Sequence, residues 1–356
     1  MRVLITGANG FLGKNLRLHL TQRGDVEIMC FGREDAASEL PALVERADFV
    51  FHLAGINRPD DPREFEAGNV DLTRALCDAL CAVSERTGRK PPVVYTSSTQ
   101  AARDNPYGNS KRQAESLLRD AERTHGIAAH IFRLPNVFGK WCKPNYNSAV
   151  ATFCHNIARD LPITIHDPAA PVTLVYVDDV IQRFLCLMDG SDAVARTADG
   201  FVDVAPQYSS TVGELARQIQ AFKDSRSTLV TERVGTGLVR ALYSTYVSYL
   251  PAESFAYSVP QYGDARGTFV ELLKTPDCGQ FSFFTAHPGV TRGGHYHHSK
   301  TEKFLVIKGT ARFKFRHMET GATHELITSG EKSEVVETVP GWTHDITNVG
   351  VDEMVV

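Results

Sequence analysis

Tyr107 and Lys111 stand four residues apart, one turn of a helix, so their side chains can point the same way. A phenol titrates near pH ~10, too high for acid–base work near neutrality, and a neighbouring ammonium favours its ionised form and brings it within range. Nine residues before Tyr107 comes Ser98, a hydroxyl that could steady a substrate carbonyl; Ser97 and Thr99 are its rivals. A Tyr-x-x-x-Lys pair alone is common, and on an arbitrary helix it reads as solvated surface. Its weight depends on the elements that carry it.

A second set of residues suits a metal ion. His295 and His297 are two apart, which on a strand turns both to one side and His298 to the other. Glu302 opens the next strand and can come alongside, and His344 supplies a third imidazole, followed by Asn348 on the same strand. Three imidazoles and one carboxylate make a transition-metal donor set, read here as Zn²⁺. The bland alternative is a group of surface histidines.

The elements behind the first set begin at the N-terminus. Arg2 to Thr6 is an apolar run of strand type, Gly7, Gly10 and Gly13 follow at three-residue spacing, and Leu12, Leu16 and Leu20 recur at helical spacing. Strand, glycine turn and helix place bare backbone N–H groups where a pyrophosphate can sit on the positive end of the helix dipole. Asn9, Phe11 and Leu12 belong to the same cofactor wall. A second strand, Val26 to Phe31, ends in Gly32-Arg33, where an NAD-preferring site would place an acid for the ribose; an arginine suits a 2′-phosphate, hence NADP. A third strand, Asp48 to Ala54, is apolar enough to be buried on both faces and leads into Leu53, Ala54 and Gly55, small enough to admit a cofactor or to pack on the first helix. Leu72, Leu76, Leu80 and Val83 mark a helix, and a fourth strand, Val93 to Ser97, runs straight into Ser98. That puts the hydroxyl and the Tyr107–Lys111 pair at the carboxyl edge of an α/β sheet, where ligands bind.

At 356 residues the chain exceeds the ~150 of one domain, and its net charge of -4, with both signs mixed, offers no footprint for nucleic acid or an acidic membrane. No apolar run nears the ~20 residues of a membrane span, and the N-terminus carries the glycine turn in place of a signal segment. Seven cysteines without a Cys-x-x-Cys pair fit a reducing compartment, so a cytoplasmic protein is expected. The α/β pattern extends over residues 1–250, with a proline-containing linker at 251–262. Residues 263–356 read as short strands punctuated by glycine and proline, a small β-barrel or sandwich. The chain stops at Val356 inside an apparent strand, so a short further piece is expected.

In order along the first part, the glycine turn, His52 to Gly55, Ser98, Tyr107 and Lys111, Arg133 to Gly139 and Val175 to Val180 resemble the extended short-chain dehydrogenase/reductase family. That resemblance implies a doubly wound Rossmann-type parallel sheet. Ser98 and Tyr107 would bind the reacting oxygen, Lys111 the nicotinamide ribose, and the segment around Asn136 would line the substrate pocket. The loop between Ser98 and Tyr107 is shorter than in that family, so the pocket wall must come from elsewhere. In the second part, the spacing from Gly289 through His295, His297 and Glu302 to Gly309 matches the first cupin motif. The Pro340 to Asn348 segment resembles the second, with Glu334 where a glycine is expected. Asp264 to Glu271 and Arg292 to Tyr296 look like the cupin 3,5-epimerases of 4-keto-6-deoxy nucleotide sugars, which implies that Arg266 and Arg292 meet the diphosphate and His295 is the base. A metal-bound imidazole is no proton acceptor, so His295 is taken as a ligand and the base stays unassigned.

Together the two parts resemble the bifunctional capsular polysaccharide and O-antigen enzymes of the CapF/WbjC type. The resemblance implies a homodimer acting on a UDP-linked 4-keto-6-deoxy amino sugar. C3 would be inverted in the cupin and C4 reduced with NADPH, giving UDP-2-acetamido-2,6-dideoxy-L-talose on the route to UDP-N-acetyl-L-fucosamine. Two other readings stand beside it: an NAD-dependent 4-epimerase with a sugar-binding cupin, against which Arg33 counts, and a non-catalytic nucleotide sensor, which would not need Tyr107 and Lys111 intact.

Overall fold

The structure, a computed structural model, describes residues 1–191, 196–277, 279–298 and 300–356. The chain forms two compact units, one of Met1–Gln220 with Val234–Ala252, the other of Ala221–Arg233 with Glu253–Val356.

The first unit opens with β1 (Arg2–Thr6), α1 (Phe11–Thr21), β2 (Glu27–Phe31), α2 (Leu40–Arg46), β3 (Phe49–His52), α3 (Leu72–Thr87), β4 (Val93–Ser98), α4 (Pro106–His125) and β5 (Ala129–Leu134). The five strands form one parallel sheet in the order β2-β1-β3-β4-β5. Val3, Leu4 and Ile5 are fully buried, as a parallel strand covered on both faces requires. The strand order reverses direction between β1 and β3, the switch point where open α/β sheets hold ligands. Leu76, Leu80 and Val83 of α3 and Ala114 and Leu118 of α4 close one face of the sheet in a single apolar core with Leu4, Val50 and Tyr95. Beyond β5 come β6 (Asn136–Phe138), α5 (Ala149–Ile157), β7 (Pro171–Tyr176), α6 (Val177–Met188), β8 (Gln207–Thr211), α7 (Val212–Thr228) and α8 (Gly237–Ser248), with β6, β7 and β8 in a smaller sheet.

The third strand is shorter than its apolar pattern, ending at His52, so that Leu53 to Gly55 lies past the sheet edge. His52 itself is a structural pin. Thr73 uses its own hydroxyl proton on the Asn69 carbonyl at 2.6 Å, so at 2.8 Å it accepts from His52 Nε2–H, and Nδ1 then accepts from the Thr6 hydroxyl at 2.7 Å. The ring is a neutral link between β1, β3 and α3, and burial with the nearby Lys111 charge pushes its pKa down to about 3.

The second unit is all antiparallel. It comprises β9 (Gln261–Asp264), β10 (Gly267–Thr275), β11 (Gly279–Ala286), β12 (Thr291–His295), β13 (Lys303–Leu305), β14 (Thr310–His317), β15 (Thr323–Ser329), β16 (Val335–Glu337), β17 (Trp342–Asn348) and β18 (Met354–Val355). Its sheets run β18-β11-β10-β9, β12-β17-β14-β15 and β13-β16 around a core of Phe313, Phe315, Val336, Ile346 and Met354. Two features depart from the sequence reading. Leu229 and Thr231 exchange backbone hydrogen bonds with Lys274 at 2.8 Å, so this stretch, expected in the α/β part, belongs to the β unit. The linker at 251–262 is not wholly irregular either, since Gln261 already starts β9. Six cysteines are free thiols; the seventh, Cys278, lies outside the described residues.

The His52 link carries a pH dependence. Folded, the ring stays neutral down to about pH 3, whereas unfolded it takes up a proton near 6.5, so between these values the unfolded chain holds more protons and stability falls as the pH drops. From pH 6.5 to 5 this amounts to about 2 kcal/mol. Urea unfolding of wild type and His52→Gln at pH 7 and 5 should show a smaller pH loss in the variant; equal losses would contradict the neutral ring.

Candidate active site and metal centre

The crevice at the β1/β3 switch is built from backbone. Gly7 sits at φ +72°, and a Cβ there would lie 2.6 Å from Ala54 N; a Cβ on Gly13 would lie 2.2 Å from Gly7 O. These two glycines let the chain pack on itself. Gly10 differs: its Cβ would meet only Gly7 O, at 3.2 Å, and is otherwise open. The first turn of α1 has no side-chain cap, so its N–H groups are free to face a phosphate. Asn9, Phe11 and Leu12 flank this turn, and Asn9 Oδ1 accepts from Arg17 at 3.0 Å. Arg33, at the end of β2, is exposed. Two residues later, Asp35 Oδ2 accepts the Gly32 N–H at 2.7 Å.

Of the three hydroxyl rivals, Ser98 is the one near enough to the Tyr107 phenol to lower its pKa. Ser97 is spent on Glu115 Oε1 at 2.5 Å, and Thr99 is exposed. Lys111 is buried, 2.9 Å from Thr96 O and 4.9 Å above the Tyr95 ring, and a Cβ on Gly55 would lie 3.0 Å from its Nζ. Burial lowers its pKa to about 8. The electrostatics differ from the sequence reading, in which the ammonium pulled the phenol down. Burial pushes Tyr107 up, the Ser98 hydroxyl offsets part of that, and Lys111 spends its charge on the Thr96 carbonyl.

Three positioning residues were missed in the sequence. Glu115 extends the series Tyr107, Lys111 by one more turn and is almost fully buried; it takes both Arg133 Nε at 2.9 Å and Nη2 at 2.6 Å besides Ser97, fixing α4 against β4 and β5. Such a pair is costly to break because the survivor is left charged and buried. Asn69, in the π-helical turn Glu66–Asp71, pins Ile56 through both its N–H (2.8 Å) and its carbonyl (2.9 Å) and donates to Ser110 at 2.9 Å. Its signal was a polar residue on the apolar face of Leu72, Leu76 and Leu80. Phe65 lies with its ring 5.7 Å from that of Tyr107 and has no such signal. Asn136 is exposed, donating to Thr173 O at 3.0 Å.

In the β unit, His295, His297, Glu302 and His344 converge with ligand atoms all within 4.8 Å of one another. A bulge between Gly293 and His295, with both glycines of the Gly293-Gly294 pair at positive φ, brings His295 opposite His344. His297 does not share the strand as expected: β12 ends at His295, and the ring returns to the cluster from the loop, its carbonyl accepting from Gly341 N at 3.3 Å. Glu302 precedes β13 by one residue and is held by paired bonds with Thr338 at 2.9 and 3.0 Å. Its Oε2 lies 3.4 Å from His297 Nε2 and 3.3 Å from His344 Nε2, yet His297 Nε2 and Glu302 Oε2 have no hydrogen-bond partner. Buried lone pairs facing one another without protons between them fit a cation. Burial would raise the Glu302 pKa, but Lys300 and the two imidazoles hold it low. His298 packs on Tyr296 and takes no part. Arg266 is paired with Asp264 at 2.6 Å, holding that carboxyl at about 2. Arg292 lies 5.2 Å over the Phe284 ring, its pKa lowered by burial and by the charge of Arg266.

Residues 3–198 match the NAD dependent epimerase/dehydratase family, and residues 262–356 match the Polysaccharide biosynthesis C-terminal domain. Over all of its length the chain is 62% identical to a Pseudomonas aeruginosa protein named UDP-2-acetamido-2,6-beta-L-arabino-hexul-4-ose reductase, of which it covers 94%. The crystal structure of the capsular polysaccharide assembling protein CapF from Staphylococcus aureus superposes with a TM-score of 0.90 at 42% identity, covering 100% of this chain and 94% of that one. A Bacillus cereus UDP-glucuronic acid 4-epimerase shares the fold of the first part, with a TM-score of 0.56 at 17% identity over 70% of this chain and 98% of its own. The chain therefore belongs to the NAD dependent epimerase/dehydratase family, in the two-part architecture of CapF.

Proposed function

We propose that this protein acts on a UDP-linked 2-acetamido-2,6-dideoxy-4-hexulose. The β unit inverts C3, and the α/β unit reduces C4 to give UDP-2-acetamido-2,6-dideoxy-L-talose, toward N-acetyl-L-fucosamine. The observation that carries this reading is the Ser98 hydroxyl acting on the Tyr107 phenol beside buried Lys111, in a chain alike over its whole length to a protein named for reducing a hexul-4-ose. NADPH, when bound, supplies the hydride to C4. Ser98 and Tyr107 hold the ketone oxygen, and Tyr107 gives it a proton. A raised phenol pKa serves that direction, because an acid must still be protonated at neutral pH before it can donate. Lys111, beside Gly55, holds the cofactor ribose in this reading, and exposed Arg33 meets a 2′-phosphate. A divalent cation such as Zn²⁺, when held by His295, His297, Glu302 and His344, supplies positive charge for a sugar oxygen. Arg266 and Arg292 bind the diphosphate. More than half of each of the Phe281, Ile307, Ile327 and Val335 side chains is exposed on the β unit, apolar surface that a second copy in a homodimer would cover. Its free thiols suit the cytoplasm.

Tyr107→Phe should lower NADPH oxidation, read at 340 nm with the UDP-ketosugar, by about 10² to 10⁴ while cofactor binding persists. Near wild-type turnover would remove Tyr107 from the reaction.

The glycine turn gives a paired test. Gly10→Ala should bind NADPH more weakly with little loss of stability, because its methyl meets only Gly7 O, at 3.2 Å, and is otherwise open, whereas Gly13→Ala should lower the melting temperature far more through its 2.2 Å clash with Gly7 O. Unchanged NADPH affinity in Gly10→Ala would place the cofactor elsewhere.

His297→Ala or a chelator should abolish exchange of the C3 hydrogen with deuterated solvent while NADPH-dependent reduction by the α/β unit continues. A folded, metal-free protein that still exchanges C3 would make the site structural and return His295 to the role of base.

A further inference from the structure

The eight residues between Ser98 and Tyr107 leave no chain to rise over the substrate. Thr99–Ala102 is a 3₁₀ turn, Asn105 caps α4, and a Cβ on Gly108 would lie 2.2 Å from Gln100 O, so the whole link lies flat on the start of α4. The side chain that does face Tyr107 comes from another segment. Phe65 sits 5.7 Å away, its plane tilted 46° to the phenol, and both residues are half-buried. Its segment is well held: Ile56 is pinned by Asn69 and leaves no room for a Cβ at Gly68, and Arg58 and Tyr146 exchange side-chain-to-backbone hydrogen bonds.

We propose that Phe65 is the wall of the sugar pocket beside Tyr107 and that it selects an apolar substrate edge, the C5–C6 methyl side of a 6-deoxy sugar. The inference rests on the ketone reduction argued above. Tyr107 addresses the oxygen on C4, and the carbons flanking C4 are C3, which carries a polar group, and C5, which carries the methyl. A phenyl ring offers no hydrogen bond, so a hydroxyl turned against it loses water without a replacement, whereas a methyl gains contact. A hydrophobic contact of this size discriminates by roughly 10- to 200-fold.

The test compares kcat/KM of wild type, Phe65→Ser, Phe65→Leu and Phe65→Tyr on the UDP-linked 4-keto-6-deoxy sugar and on its 6-hydroxy counterpart, with NADP⁺ binding followed by titration. Wild type should prefer the 6-deoxy ketone by about 10-fold or more. Phe65→Ser should bring the preference to within a few fold, chiefly through KM, with NADP⁺ affinity unchanged; Phe65→Leu should keep most of it, and Phe65→Tyr should improve use of the 6-hydroxy ketone. A wild-type preference retained in both Phe65→Ser and Phe65→Tyr, or a loss of NADP⁺ affinity that matches the loss of activity, overturns the role of Phe65 alone. A wild type that oxidises NADPH with neither ketone overturns the reduction and this inference together.

Discussion

The crevice depends on Gly7, where four elements meet with no side chain of its own between them. Its N–H donates to Phe31 O at the end of β2, its carbonyl accepts from Gly10 N at the start of α1, and its Cα faces Ala54 just past β3. Any larger residue there would part β1 from β3 and widen the switch point that forms the crevice. The consequence reaches α4, because the same loop past β3 carries Gly55 and Ile56. Gly55 touches Lys111, and Ile56 is held by Asn69, which also binds Ser110 beside Tyr107's turn. The crevice floor and α4 are therefore set by one chain of close backbone packing and short polar contacts.

Burial is the common term in the electrostatics of that crevice, and its sign depends on the group. It lowers Lys111 and His52, which are charged when protonated, and raises Tyr107, which is neutral when protonated. Each shift favours the neutral form of its group, yet Lys111, at about 8, keeps its charge at pH 7. A site arranged in this way keeps its phenol protonated, which suits proton donation to a developing alkoxide better than proton removal from an alcohol.

Much of this was legible in the sequence, and the remainder has identifiable physical reasons for being hidden. The glycine spacing, the apolar strands and the Tyr107–Lys111 turn gave the sheet and its edge, because period and turn chemistry are local. The convergence of His295, His297, Glu302 and His344 was legible for the same reason, although His297 lies past the strand: a bulge at Gly293–Gly294 changes strand geometry without changing residue spacing. What depended on tertiary contact was hidden. Leu229 and Thr231 join the β unit through backbone bonds that any sequence could make. Asp35 turns back to Gly32 across a loop, and Phe65 reaches Tyr107 from a segment whose composition marks it only as irregular chain. Asn69 and Glu115 fall between these cases, being polar residues at buried positions of helical faces, which local pattern exposes and only the fold explains.

Chemistry also orders the two reactions proposed for the two units. The hydrogen on C3 is acidic only while C4 is a ketone, since the carbonyl is what spreads the charge left behind. Once Tyr107 has protonated the reduced oxygen, C3 is an ordinary carbinol carbon and no imidazole or metal-polarised oxygen can invert it. Inversion must therefore precede reduction, whatever path the intermediate takes. A sugar that reaches Tyr107 before inversion is committed to the wrong stereoisomer, which makes discrimination at the walls of the reducing site valuable. A single apolar ring next to the proton donor can act on the methyl edge but not on the configuration at C3.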